Sequence, residues 1–487
     1  MTHTEIRFLR RGVIVEYAMG DPARTVLDYL RLEQRHKGTK EGCNEGDCGA
    51  CTVAIGRLRQ GRVSYEPANA CIMLMGHLHG CELVTVDDLS PGGILHPVQQ
   101  AMVQHHGSQC GFCTPGFVMS LFALYHAPER PDRNAVVNQI AGNLCRCTGY
   151  RPIIDAALDA CGNKTPDIWT ESATEIAAEL ARINDGEDVF CGNSDSFAAA
   201  PAKDSTLLDL AARHPDATIV AGATDVGLWI TKQMRVLPKL IFTSRVEALH
   251  AITDRVATLS LGAAVTYAQA EEKLSALAAD VGEVLRRLGS KQVRSSGTIG
   301  GNIANGSPIG DMPPMLIALG TRITLRKGAE QRDLLLEDYF IEYGKQDRRP
   351  GELLWRIDIP KLKSNERFFA HKLSKRFDQD ISAVMAAFKF VISGRSISSA
   401  VIAFGGMAGT PRRARHTEAA VAGLKLDAPE SWAGVVETLR KDFTPLSDMR
   451  ASASYRLDAA ERLLFKALHE LVVERLSSMR VFAPVGK

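Results

Sequence analysis

A multidomain α+β chain is predicted by three features. Apolar residues alternate in strand fashion over residues 1 to about 20 (Ile6, Phe8; Val13, Val15, Tyr17), the apolar period turns helical from residue 95, and beyond 200 short apolar runs enter glycine-rich turns that lead into helices. The 487 residues suffice for roughly three or four domains. Hydrophobic residues make up 45% and charged ones 23%, as expected of globular cores. With 58 basic against 56 acidic residues the formal charge is +2, which argues against nucleic acid or an anionic membrane surface as partner. The opening Met-Thr-His-Thr-Glu-Ile-Arg-Phe has no apolar signal core, no run reaches membrane-span length, and eleven cysteines without a secretion signal suit a reducing compartment. A cytoplasmic chain is expected.

The most informative stretch is Cys43-Asn-Glu-Gly-Asp-Cys48-Gly-Ala-Cys51, in the spacing C-x4-C-x2-C that wraps a [2Fe–2S] cluster. Cys71 supplies a fourth thiolate. Gly42, Gly46 and Gly49 let the backbone close on a crowded cluster and aim N–H groups at sulfur. Structural zinc or disulfides are the alternatives. Zinc usually takes paired C-x2-4-C knuckles, whereas this set is three plus one.

Around this loop, Arg11-Gly12 turns an opening hairpin. Asp21-Pro22 is expected to cap a helix burying Val26, Leu27 and Leu30 and closed by Gly38, with strands near Thr52 to Ile55 and Leu83 to Val86. The order resembles a plant-type ferredoxin (β-grasp) fold over residues 1–85.

Four helices follow over 86–162. They open at His96-Pro97, at Thr114-Pro115 (burying Phe117, Val118, Leu121 and Phe122), before Cys145, and at Pro152. They bracket Cys110-Gly-Phe-Cys113 and Cys145-Arg-Cys147, a second four-thiolate set, with a disulfide or zinc knuckle as alternative. Helix N-termini directly after Cys113 and Cys147 would face an anionic cluster. Cys81, Cys161 and Cys191 are expected to fill apolar gaps. His77, His79, His105 and His106 read as structural or surface residues, because no carboxylate partner is evident nearby.

Residues 163–200 read as a linker by composition, with room for one short helix between its polar stretches. The region 201–362 is α+β, with a strand at Thr218-Ile-Val-Ala, the turn Gly222-Ala-Thr-Asp-Val-Gly227, and a second glycine-rich loop from Gly297 to Asp311. Neither loop fits the dinucleotide or nucleotide-hydrolase fingerprints. Together, with Lys291, Arg294 and Lys372 as cations, they suit a pyrophosphate held by backbone amides. Residues 363–487 form an α+β C-terminal domain: strands at Ala383 to Ile392 and Ala400 to Phe404, a turn at Gly405-Gly406, and a helix after Asp448. The run Arg412, Arg413, Arg415 reads as a solvated helix start. No acid–base dyad or nucleophile stands out.

Glu41 to Cys51, Gln109-Cys-Gly-Phe-Cys-Thr-Pro-Gly116 and Gly142-Asn-Leu-Cys-Arg-Cys-Thr-Gly-Tyr150 resemble the iron–sulfur half of the molybdenum hydroxylase family. Val220 to Asp225, Gly297 to Asn305 and Lys372 to Ile381 are similar to its flavin half. Within the family, the order of parts resembles the small iron–sulfur/FAD chain of bacterial xanthine dehydrogenases.

The resemblance implies that Cys43, Cys48, Cys51 and Cys71 ligate one [2Fe–2S] cluster and Cys110, Cys113, Cys145 and Cys147 the other. It implies a two-part FAD-binding domain, with FAD lying across Ile219, Val220, Ala221, Gly222, Ala223, Thr224, Asp225 and Val226. Thr298, Ile299, Gly300, Gly301 and Asn302 form the second segment, completed by Asn305, Asp311, Leu354 and Lys372. Asp378 and Asp380 border an NAD site on the same grounds. The resemblance further implies electron transfer from purine (hypoxanthine or xanthine) oxidation, through both clusters and FAD, to NAD+. Molybdopterin would sit on a larger partner chain, in a heterotetramer of two small and two large chains. The same apparatus also serves aldehyde, carbon monoxide or heteroaromatic hydroxylases, and a non-enzymatic redox module is the rival of another class.

Overall fold

The computed structural model describes residues 2–472, so the end of the expected 363–487 domain lies outside the described residues. The chain divides into two compact units, Met1–Glu247 with Gly289–Gly297, and Ala248–Leu288 with Thr298–Lys487.

In the first unit, a five-stranded sheet runs in the order Val13–Tyr17, Ile6–Arg10, Cys81–Val84, Thr52–Arg59, Arg62–Asn69. Sequence reading missed the last of these strands, whose polar residues hide the alternation. The expected helix forms over Val26–Asp28 and widens into a π-turn at Tyr29–Glu33. Its cap is Thr25, not Asp21-Pro22: the Thr25 hydroxyl accepts from the Asp28 N–H at 3.0 Å. The chain leaves it well before Gly38, after burying Val26, Leu27 and Leu30 as expected.

Four helices follow, Pro97–Gln104, Thr114–Tyr125, Arg133–Ile140 and Arg151–Gly162. Cys113 directly precedes the second. Between Cys147 and the fourth stand Thr148, Gly149 and Tyr150, the last with φ 67°. His105, expected to lack a carboxylate partner, pairs with Asp159 at 2.9 Å.

The linker reading of 163–200 is corrected. Helix Ala173–Ile183 buries Ile176, Leu180 and Ile183. Strands Asp188–Gly192 and Phe197–Ala200 join a second five-stranded sheet with Thr2–His3, Lys239–Phe242 and Thr218–Val220. Ala198, Ala199 and Ala200 resemble linker by composition, yet all three are buried in a strand.

The second unit holds an antiparallel sheet in the order Ile252–Asp254, Thr258–Gly262, Leu353–Pro360, Arg322–Lys327, Glu330–Leu335. An antiparallel meander, Glu366–Leu373, Val384–Ser393, Ser396–Gly405 and Arg412–Arg413, packs its apolar face on helices that include Ala453–Val472. The arginine run is not simply a solvated helix start. Arg413 binds Glu418 at 2.7 Å and Glu337 at 2.9 Å, and Arg415 binds Glu337 at 3.0 Å. No helix among the described residues is long and apolar enough to cross a membrane.

Candidate metal centres and flavin loops

The first cysteine set converges. The Cys43 thiol touches those of Cys48 and Cys71, and Cys71 touches Cys51. Hydrogen bonds from Cys48 and then Cys71 pull Cys43 far below the usual thiol range, while contact with Cys43 and then Cys51 pushes Cys71 up. Backbone donors face the sulfurs: Asp47 N and Cys48 N point at Cys43 Sγ at 3.4 and 3.3 Å, and Cys43 N at Cys48 Sγ at 3.3 Å. Four converging sulfurs, two of them faced by backbone amide donors, are the environment an anionic cluster requires. Cys51 and Cys71 are buried.

The second set pairs Cys110 with Cys147 and Cys113 with Cys145. Burial, then the Cys145 thiol, pushes Cys113 up to about 12. Cys147 N donates to Cys145 Sγ at 3.4 Å, and Cys145 N donates to the Tyr150 hydroxyl at 2.9 Å. Cys110 and Cys147 are exposed, as are their neighbours Phe112 and Leu144. All eleven cysteines are free of disulfides.

The two sets adjoin. Leu144 N, next to Cys145, donates to the Cys48 carbonyl at 3.0 Å. Gly49 has φ +70°, and any Cβ there would collide with the Gly142 carbonyl oxygen.

The first glycine-rich turn lies on the first cysteine set. Ile219 and Val220 end the strand Thr218–Val220, and Val226 starts the helix Val226–Thr231. That helix packs so closely that a Cβ on Gly227 would lie 2.6 Å from Ile72 Cβ, one residue from Cys71. His77 Nε2 donates to the Ala221 carbonyl at 2.7 Å, and burial lowers its imidazole to about 4, so the neutral ring serves as a tie. Ala223 adopts φ 57°, a left-handed conformation unusual for a residue with a Cβ. Burial raises Asp225 above the usual carboxylate range. Gly222 abuts the Ser296 carbonyl oxygen, with no room for a Cβ, and an added Cβ on Gly297 would lie 3.6 Å from Thr224. The turn therefore meets the start of the second loop.

In the second unit, Thr298 caps Ile299–Asn305, accepting from Gly301 N at 2.9 Å. Gly300 packs on Ala263, and Leu354 is buried opposite Leu325 in the sheet. Asn302 Oδ1 is shielded from solvent without a hydrogen-bond partner, beside Gly310. Asn305 is half-buried at the end of its helix. Asp311 binds Lys372 Nζ at 2.5 Å and accepts from Ser382 Oγ at 2.5 Å. Lys372 is thus neutralised by Asp311, and buried Arg294 donates to the Gly289 carbonyl at 2.9 Å. Lys372 is therefore paired with Asp311 and does not stand free as a cation for a pyrophosphate; in the second loop the amides of Ile299, Gly300, Gly301 and Asn302 already donate within the protein, and Asn302 offers an unpaired acceptor. An unsatisfied carboxamide oxygen and strained, side-chain-poor turns fit a ligand bound close to the backbone. Asp378 pairs with Arg286 at 3.5 Å and Asp380 with Arg376 at 3.4 Å.

Four family models match in succession. They are a 2Fe-2S iron-sulfur cluster binding domain at residues 10–76, a [2Fe-2S] binding domain at 85–158, the FAD binding domain in molybdopterin dehydrogenase at 195–362, and the CO dehydrogenase flavoprotein C-terminal domain at 369–471. These define an iron–sulfur flavoprotein, binding [2Fe–2S] clusters and FAD. Curated relatives include the xanthine dehydrogenase/oxidase of Rattus norvegicus, 33% identical over 84% of this chain and 34% of the relative. The xanthine dehydrogenase of Drosophila subobscura is 31% identical over 98% and 40%. The chain spans about a third of the length of the first of these. Among solved structures, reconstituted CO dehydrogenase from Oligotropha carboxidovorans is 28% identical with TM-score 0.52, covering 57% of this chain and 97% of that one. Quinoline 2-oxidoreductase from Pseudomonas putida 86 is 25% identical with TM-score 0.51, covering 57% and 96%. The four domains together fit the small iron–sulfur/FAD chain of a molybdenum hydroxylase.

Sequence reading missed the residues that join these parts: Ile72, Lys232, Gln292 and Tyr150's hydroxyl. Asn143 lay inside a quoted motif without a role. None carries a local spacing signal.

Proposed function

We propose that this chain is the electron-transfer and NAD+-reducing arm of a xanthine dehydrogenase in the cytoplasm, with molybdopterin on a larger partner chain and a heterotetramer of two chains of each kind. The observation that carries the reading is the gradation of the cysteine sets: the second is exposed at Cys110 and Cys147, while the first is largely buried and packs on the turn Ala221–Asp225. Electrons entering from a partner would meet the exposed set first. Bound clusters supply one-electron transfer and a bound flavin converts it to the two-electron chemistry of nicotinamide.

Cys43, Cys48, Cys51 and Cys71 are the proposed ligands of the inner cluster and Cys110, Cys113, Cys145 and Cys147 of the outer one. Backbone N–H groups beside Cys43, Cys48 and Cys145 stabilise negative charge on sulfur. The turn Ile219–Val226 and the loop Thr298–Asn302, with Asn305, Asp311, Leu354 and Lys372, are the proposed FAD residues. Asn302 offers an unpaired acceptor, and Lys372 holds Asp311 in place.

Purine as the partner's substrate is supported by the xanthine dehydrogenase relatives, matched over 84% to 98% of this chain. Carbon monoxide or a heteroaromatic is the second reading, favoured by the solved CO dehydrogenase and quinoline oxidoreductase chains, which match only 57% of it. Purification from the native cell, with metal, flavin and partner-chain analysis and a test of NADH oxidation by an artificial acceptor, decides. A chain with full FAD that does not oxidise NADH excludes the nicotinamide role, and a co-purifying chain active on carbon monoxide but not xanthine excludes the purine.

A further inference from the structure

One buried carboxamide lies where three cofactor-bearing segments meet. Gln292 is 1% exposed on the short helix Lys291–Ser296, whose last carbonyl abuts Gly222. Its Nε2 lies 3.0 Å from Asn143 Oδ1, 3.1 Å from Thr52 Oγ1 and 3.3 Å from Ser120 Oγ. Thr52 follows Cys51, Asn143 stands two residues before Cys145, and Ser120 is on the helix that opens after Cys113.

The network fixes the amide's orientation. The Thr52 hydroxyl donates to the Gly49 carbonyl at 2.6 Å and the Ser120 hydroxyl to Asn143 Oδ1 at 2.6 Å, so both present only lone pairs to Gln292. Asn143 Nδ2 donates to the Gly49 carbonyl at 3.0 Å, which leaves Asn143 Oδ1 as an acceptor. Three acceptors face Gln292, so its nitrogen must point at them. Its Oε1 has no hydrogen-bond partner among the described residues and lies against Gly142, where any Cβ would collide with it.

We propose that Gln292 is a positioning residue that holds the turn Gly222–Gly227 in register with both cysteine loops. The inference rests on the iron–sulfur and flavin assignment above. Alternatives at this position lack its properties. Leucine would leave the Ser120 oxygen without a donor and take one donor each from Thr52 and Asn143, and glutamate would oppose all three acceptors with like charge. One side-chain cluster elsewhere does not compete. At His96, His126 and Asp167, His96 Nδ1 accepts from Val98 N at 3.1 Å, so Nε2 carries the proton donated to Asp167 and is not a metal ligand.

The test uses the full chain with its cofactors. Gln292→Met keeps the length and removes both N–H donors. The full complement of iron and sulfide is expected, with both reduced-cluster EPR signals present. The magnetic splitting between the signals should change, and the FAD dissociation constant should rise about tenfold. Gly142→Ala, which presses on Oε1 and on Ser290 at the start of the same helix while keeping every donor, should move both readouts in the same direction. If Gln292→Met does not fold, Ser120→Ala removes the longest contact and should give a smaller shift of the same sign. Unchanged splitting and FAD affinity in Gln292→Met, or in Ser120→Ala where the former fails to fold, overturn the proposal, even if the melting temperature drops. A wild-type chain lacking clusters or FAD would instead overturn the assignment beneath it.

Discussion

Lys232 Nζ donates to the Cys43 carbonyl oxygen at 2.6 Å, reaching from the end of helix Val226–Thr231 to the first cysteine loop. The same ammonium lies 3.5 Å from Glu45. One cation thus ties the helix after the proposed flavin turn to the loop proposed to hold the inner cluster.

Lys232→Met removes a positive charge beside that centre, making an added electron less favourable. Its midpoint potential should fall by roughly 20–40 mV, about 1 kcal/mol or less across a partly solvated distance. The outer cluster should keep its potential. An EPR-monitored redox titration resolves the two.

Cys43→Ser and Cys110→Ser should each abolish one of two distinct reduced-cluster EPR signals and leave the other. Two intact signals in both variants would refute the ligand sets.

Lys372 and Asp311 are buried together, so removing one partner strands the other's charge. Lys372→Met should destabilise the chain by about 3–5 kcal/mol. Lys372→Met with Asp311→Asn should recover much of that loss, because no buried ion remains. Thermal unfolding of the two singles and the double measures the coupling.

Glu82 is buried beside Tyr65 and Trp169, which donate to its carboxylate at 2.7 and 3.1 Å. Burial pushes this carboxyl up to about 7. The folded state therefore holds a proton that the unfolded state releases near its ordinary pKa. Stability contributed by the neutral acid is complete below that ordinary value and lost as pH rises through about 7, amounting to about 3 kcal/mol at most. Glu82→Gln, which mimics the neutral acid, should flatten the fall in melting temperature between pH 5.5 and 8; an unchanged profile would assign it to another group.

Both cysteine sets were legible because thiolate spacing is a local property of the chain. The helices of 97–162 announced themselves through Pro97, Pro115 and Pro152 at their starts. The strands of 188–200 did not, because Ala198 to Ala200 carry no alternation and their burial depends on a sheet assembled from distant segments. Cations were misjudged for a related reason. The sequence shows that Lys372 is basic, but not that Asp311 pairs with it. Gln292 was invisible because its partner Thr52 lies 240 residues away.

The pairing of Thr2 with Asp188 and His3 with Val189, parallel and at the sheet's edge, bears on how the chain is made. A ribosome adding about 5–20 residues per second delivers Val189 roughly 10–40 s after His3. Throughout that interval the strand Thr2–His3 has no partner strand to pair with, although the loop bearing Cys43 to Cys51 has long since been translated. Cofactor loading in the cell is therefore expected to compete with a stray edge, and a chaperone that masks it would raise the yield of loaded protein.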